Sequence, residues 1–175
     1  SKPANAIVIN NESVKYPTAT DNFHYEVELV VALSSGGVNI PEELALNCVF
    51  GYAVGIDFTR RDLQNSAKKA GRPWDVAKGF DQSAPISSIT VKSEITDLSK
   101  VQISLSLNGE VRQNSKLDAM IWSVTEIISE LSKFYALQPG DLIFTGTPSG
   151  VAAVTPGDRL SAEISGIGNL DFEII

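Results

Sequence analysis

Val101, Ile103, Leu105 and Leu107 alternate with Gln102, Ser104 and Ser106, and Asn108-Gly109 follows at once. A two-residue period turns one side of an extended chain to the core and the other to water. Asn-Gly is the pair a two-residue hairpin selects, because both central residues take positive φ. The chain therefore has to turn back at 108–109, with Glu110 to Gln113 returning as the partner strand. A hairpin cannot stand alone in water, so the rest of the chain must complete a sheet.

The remaining signals are short and punctuated by Gly and Pro. His24 to Val31 reads as a strand entering a core, Gly51 to Phe58 as a buried strand, and 142–145, 159–164 and 170–175 as further strands. Pro41 with Glu42 and Glu43 marks a helix start. Thr59 to Asp62 resembles a helix cap, and Gly71 and Pro73 should stop the helix that follows. Met120, Ile121, Val124, Ile127, Ile128, Leu131 and Phe134 recur at three and four residues, predicting the principal amphipathic helix, ended by Pro139-Gly140-Asp141. Many short strands with a few helices set apart make an α+β domain built around a sheet, roll or barrel.

At 175 residues the chain fits a single domain, and its net charge of −7 argues against a nucleic-acid partner. The lone cysteine, Cys48, excludes an intrachain disulfide framework and sits in an apolar run as a small buried hydrophobe. No apolar stretch approaches the ~18 residues of a membrane span. These features predict a soluble, cytoplasmic protein that meets neither membrane nor nucleic acid. No G-x-S-x-G elbow, phosphate loop or G-x-G-x-x-G turn is present, and His24 is the only histidine.

What remains is acidic. Glu26 and Glu28 lie at i and i+2 on the expected strand, on one face with His24, between apolar Val27 and Leu29. Two like charges at the edge of a core are costly without a cation, and oxygen ligands suit Mg²⁺, Mn²⁺ or Ca²⁺ rather than zinc. On spacing alone, a solvent-facing acidic strand face is the simpler account. Asp57 stands in an apolar strand, where a third ligand, a helix cap or an ion pair with Arg60 or Arg61 would each explain it. Lys78, among Trp74, Val76 and Phe80, could bind a substrate carboxylate, stabilise an oxyanion, form a Schiff base, or simply snorkel.

The stretches HYEVEL (24–29), GYAVGIDFTRRDLQ (51–64), KKAGRPWDVAKGFDQSAP (68–85) and GDLIFTGTPSGV (140–151) resemble, in order and spacing, the fumarylacetoacetate hydrolase family. Lys2-Pro3 and the NGEVRQ hairpin (108–113) extend the resemblance almost end to end. It implies a mixed, barrel-like β-roll with a few peripheral helices, usually a homodimer, carrying Mg²⁺ or Mn²⁺. By motif position, Glu26, Glu28 and Asp57 would be the metal ligands and Lys78 the active-site lysine. Arg61 and Gln64 would face the substrate, and Thr147 would bind its carboxylate. The pattern usually continues G-V-G, where this chain has Gly150-Val151-Ala152.

The implied activity is hydrolysis of a carbon–carbon bond in a 2,4-diketo acid, an acylpyruvate such as fumarylpyruvate, through a metal-held pyruvate enolate. Oxaloacetate decarboxylation or tautomerisation on the same metal site is the alternative, and an inactive structural fragment a third. Family members normally carry an N-terminal segment and a lid whose His-Glu pair activates water, and this sequence starts after that point. Residues 1–175 are thus expected to form a single catalytic domain without the lid, binding oxalate through the metal but cleaving acylpyruvates slowly.

Overall fold

The structure, a computed structural model, describes residues 1–9 and 11–175. In chain order its strands are β1 (Ile7–Val8), β2 (Phe23–His24), β3 (Val27–Leu33), β4 (Val49–Ile56), β5 (Thr59–Arg60) and β6 (Ala84–Pro85). They continue with β7 (Thr90–Val91), β8 (Gln102–Leu107), β9 (Glu110–Lys116), β10 (Leu142–Phe144), β11 (Arg159–Ile164) and β12 (Gly168–Glu173). The α-helices are short: α1 (Glu42–Ala45), α2 (Arg61–Lys69), α3 (Asp75–Lys78) and α4 (Val124–Leu131).

The hairpin forms as its turn chemistry demands, with Asn108 at φ 52° and Gly109 at φ 82° between β8 and β9. It belongs to an antiparallel sheet of order β12-β11-β8-β9. A second antiparallel sheet has order β10-β3-β4-β7, and the short pairs β2-β5 (antiparallel) and β1-β6 (parallel) flank them. The α+β expectation therefore holds, with separate sheets and no closed barrel among the described residues. One apolar core joins the two larger sheets, running through Leu29, Val54, Leu105, Leu160 and Phe172.

Every residue of β3 is buried, so this strand is covered on both faces. Val27, Leu29, Val31 and Leu33 face the main core. Val30, on the opposite face, packs in a smaller cluster with Ala53, Ile86, Leu142 and Phe144. Glu28 has the parity of Val30 and thus points into that covered face. Its cross-strand partner is Gly55, where a Cβ would fall 2.4 Å from Val30 and 2.7 Å from Phe144. A bare backbone at 55 is what lets those side chains close around the start of the strand.

Three expectations shift. The strand foreseen over 24–31 is broken at Tyr25-Glu26, which lie between β2 and β3. Asp57 stands one residue past the end of β4, rather than within it. The long helix shrinks to α4 because Ser123 caps it: the Ser123 Oγ accepts from the Glu126 N–H at 3.2 Å, and the Glu126 carboxylate accepts from the Ser123 N–H at 2.7 Å. Its other end is closed by Ser132, whose hydroxyl donates to the Ser129 carbonyl and accepts from the Ile40 N–H. Ile121, 95% exposed, and Phe134, 73% exposed, are left outside the helix. No helix among the described residues is long and apolar enough to cross a membrane. Cys48 is buried, as foreseen.

Candidate active site

Glu26 and Asp57 meet because the β3–β4 ladder runs one rung beyond both strands. Val27 pairs with Ile56, and the Asp57 N–H then donates to the Glu26 carbonyl at 2.8 Å. Glu28 enters from β3 itself. These three carboxylates offer oxygens within 4.8 Å of one another, and among the described residues they form the group that could hold a metal ion. Glu26 and Glu28 are buried, at 7% and 4% exposure, so the solvent-facing account of this pair is excluded.

The surrounding cations come from two helices and the N-terminal segment. Lys78, the last residue of α3, donates to Glu26 at 2.8 Å and to Asp57 at 2.6 Å. Arg61, the first residue of α2, pairs with Glu26 and also donates to the Gln64 side chain one turn on. Lys2 Nζ lies 2.8 Å from Asp57 Oδ1, donates to the Phe58 carbonyl at 3.0 Å, and also donates to the carbonyl of Lys78. The 145–147 turn closes the fourth side, where the Gly146 N–H donates to Glu28 at 2.7 Å. The next residue, Thr147, accepts on its hydroxyl oxygen from the Gln113 amide at 2.8 Å.

The electrostatics are unequal across the group. Burial first, then the charges of Asp57 and Glu26, push the Glu28 carboxyl up to about 8. Burial works to lower the Lys78 ammonium, but Asp57 and Glu26 outweigh it and leave it above the usual lysine value. Burial wins at Lys2, which is lowered despite Asp57. Asp57 Oδ1 is buried, and the Lys2 ammonium 2.8 Å away is the cation set against it. A carboxyl forced toward neutrality by burial and two acid neighbours, all three offering oxygens within 4.8 Å of one another, is a donor set that a hard divalent cation would satisfy.

The structure thus brings Glu26, Glu28, Asp57, Lys78, Arg61 and Gln64 into one network, with Thr147 joined through its neighbour Gly146. His24 lies near Arg61 and Glu26, whose charges act on its ring, while its Nε2 contacts the Asn22 side chain at 2.8 Å. Lys2 and Gln113 went unforeseen as site residues. Lys2-Pro3 and NGEVRQ carried family likeness, but nothing in spacing or hydropathy singled out either side chain. Beside the turn lies a groove of about 490 Å³, which shares Thr145, Gly146 and Thr147 with the site and is otherwise lined by Met120, Trp122 and Ile127 among others.

A family model described as fumarylacetoacetate (FAA) hydrolase C-terminal matches residues 1–175. Fumarylpyruvate hydrolase of Ralstonia sp is 41% identical over 174 residues, covering 99% of this chain and 90% of that protein. The mitochondrial oxaloacetate tautomerase FAHD1 of Rattus norvegicus is 42% identical over 173 residues, covering 99% and 78%. The crystal structure of fumarylpyruvate hydrolase from Pseudomonas aeruginosa in complex with Mn²⁺ and pyruvate superposes with a TM-score of 0.96 at 48% identity, covering 99% of this chain and 76% of that one.

Proposed function

The chain belongs to the fumarylacetoacetate hydrolase family, and from that premise we propose that it is a divalent-metal-dependent hydrolase cleaving the carbon–carbon bond of a 2,4-diketo acid such as fumarylpyruvate. The observation that carries this reading is the buried group of Glu26, Glu28 and Asp57 with Lys78 hydrogen-bonded between two of them. Residues 1–175 act as a single catalytic domain in this reading, and its assembly is a homodimer, for which exposed Ile121, Trp122, Phe134 and Tyr135 offer apolar surface.

Glu26, Glu28 and Asp57 would hold Mg²⁺ or Mn²⁺, with Ca²⁺ also compatible with an all-oxygen donor set. When bound, such a cation supplies Lewis-acid polarisation to the oxygens of a 2-keto acid. The chain's own groups do the rest. Arg61 and Gln64, fixed to each other and to Glu26, orient the keto acid, and the Thr147 hydroxyl donates to its carboxylate. Water adds to the distal carbonyl; the carbon–carbon bond then breaks, its electron pair passing to the pyruvate carbon. The hydroxyl from water remains on the released acid, and the second hydrogen of that water balances the proton the pyruvate carbon takes up. Lys78 sets a positive charge against the negative charge that develops. The groove beside Thr147, where Lys116 lines the wall together with Met120 and Trp122, accommodates the distal acyl chain.

Lys78 acts as a charge and donor, without forming a Schiff base. The cation that Glu26, Glu28 and Asp57 would hold already supplies the electron sink an iminium would provide, so covalent catalysis is unnecessary. Borohydride added during turnover should leave the intact mass unchanged; a reduced adduct on Lys78 would overturn this role. A second reading, oxaloacetate tautomerisation or decarboxylation at the same site, is favoured by the equally similar tautomerase of Rattus norvegicus. Side-by-side assays of acylpyruvates and oxaloacetate with Mg²⁺ and Mn²⁺ decide between them. Measurable acylpyruvate cleavage is expected; turnover of oxaloacetate without any acylpyruvate cleavage would reassign the activity, and no turnover of either would leave a non-catalytic role.

A further inference from the structure

Seven residues form β9, and Gln113 is the one that is buried, at 0% exposure, while Val111 two positions earlier is 59% exposed. That inversion of hydropathy has a structural cause. Leu105 pairs with Gln113 and Ser106 with Val111, so Arg112 is an extra residue, a β-bulge. Bulges re-aim side chains, and this one aims an amide into the core. The bulge also seats the turn that follows β10: Gly150 has φ +104°, and a Cβ there would fall 2.0 Å from the Arg112 carbonyl.

Inside, the Gln113 Oε1 accepts from the Val27 N–H at 3.1 Å, while Nε2 donates to Thr147 Oγ1 and to the Pro148 carbonyl, both at 2.8 Å. A backbone N–H can only donate and a carbonyl can only accept, so these two partners fix which way the amide points. Thr147 Oγ1 must then accept from Gln113, and the hydroxyl's own proton is left for another acceptor. Val27 is the residue between Glu26 and Glu28, so one side chain links the acid-bearing strand to the turn.

We propose that Gln113 is a positioning residue for the reaction: it presents the Thr147 hydroxyl as a hydrogen-bond donor to the substrate carboxylate and sets that donor's place relative to Glu26 and Glu28. This rests on the reading of the site given above, in which Thr147 meets the carboxylate. A hydrogen bond to a charged group typically carries ~10- to 100-fold in affinity. A core glutamine with only a packing role would alter stability without acting through Thr147.

The test uses the full chain loaded with Mn²⁺, with oxalate as the probe. Gln113→Glu keeps the shape and can accept from Val27, but an ionised carboxylate cannot donate to Thr147 and turns its hydroxyl inward. Gln113→Met removes the polar atoms at similar volume and serves if the glutamate variant does not fold. Either variant should bind Mn²⁺ within ~3-fold of the parent yet weaken oxalate ~10-fold or more, raising KM more than it lowers kcat. In a Thr147→Val background, which itself weakens oxalate, the Gln113 substitutions should add little further loss. Full additivity of the two losses, or unchanged oxalate affinity in the Gln113 variants while Thr147→Val weakens it, overturns the role of Gln113 alone. Unchanged oxalate affinity in Thr147→Val overturns the underlying reading of Thr147, and this inference with it.

Discussion

Glu28→Gln is expected to lower Mn²⁺ affinity by at least ~100-fold, while the metal-free variant matches the parent in stability below about pH 4.5 and exceeds it near pH 7. Both halves follow from burial. The Glu28 carboxyl, 4% exposed, is pushed up to about 8 by burial first and by Asp57 and Glu26 after it, so near pH 7 the metal-free group is mostly neutral. Glutamine copies that neutral form and its side-chain oxygen can still accept the Gly146 N–H. The pH dependence has a definite sign. A carboxyl raised from 4.5 to about 8 on folding contributes stability that is complete below about 4.5 and is lost as pH rises through about 8. Metal-free parent protein should therefore weaken across that window, and Glu28→Gln should not show this slope. Metal binding requires the charged carboxylate, so loading Mn²⁺ at pH 7 should expel a proton, with affinity rising with pH until about pH 8. Calorimetry in two buffers of different ionisation enthalpy reads both quantities. Unchanged Mn²⁺ affinity in the variant would remove Glu28 from the ligand set.

What could be read in the sequence divides along the range of the interactions. The Asn108-Gly109 turn and the alternation before it are local chemistry, and the hairpin appears at the expected residues. The Glu26/Glu28 spacing was legible, but whether the pair met water was not. That depends on β4 lying against β3 and on Gly146 arriving from 118 residues away. Asp57 was legible as an acid in apolar surroundings, although it sits past the strand end, where it joins Glu26 through the last ladder bond. The helix at 124–131 was overextended because an apolar rhythm at three and four residues says nothing of where a serine will cap. Gln113 was hidden for a sharper reason. A bulge shifts strand parity by one residue, so a pattern of period two assigns the exposed and buried sides incorrectly beyond it. Lys2 acts on a residue 55 positions away, and no local pattern carries such a contact.

Lys78→Met should separate catalysis from metal binding. With methionine at 78, Glu26 and Asp57 lose the ammonium that bridges them at 2.8 and 2.6 Å, leaving Glu26 with Arg61 and Asp57 with Lys2. Removing one partner of a buried ion pair costs about 3–5 kcal/mol; the Lys78 side chain is 19% exposed and other cations remain, so ~2–4 kcal/mol is the expected loss in metal-free protein. For a chain of this size that is roughly a 5–12 °C fall in Tm. Mn²⁺ should restore much of it, because a divalent cation neutralises the same carboxylates, and Mn²⁺ affinity should stay equal or rise once a competing positive charge is gone. Turnover should nevertheless fall ~10²–10³-fold, since a fixed donor to developing negative charge is worth about that much. The combination matters more than any single value. Thermal melts with and without Mn²⁺, Mn²⁺ titration and steady-state rates on the same preparation give all of it. Loss of Mn²⁺ affinity would make Lys78 part of the framework that builds the metal site, and undiminished turnover would leave it only the structural task of balancing Glu26 and Asp57.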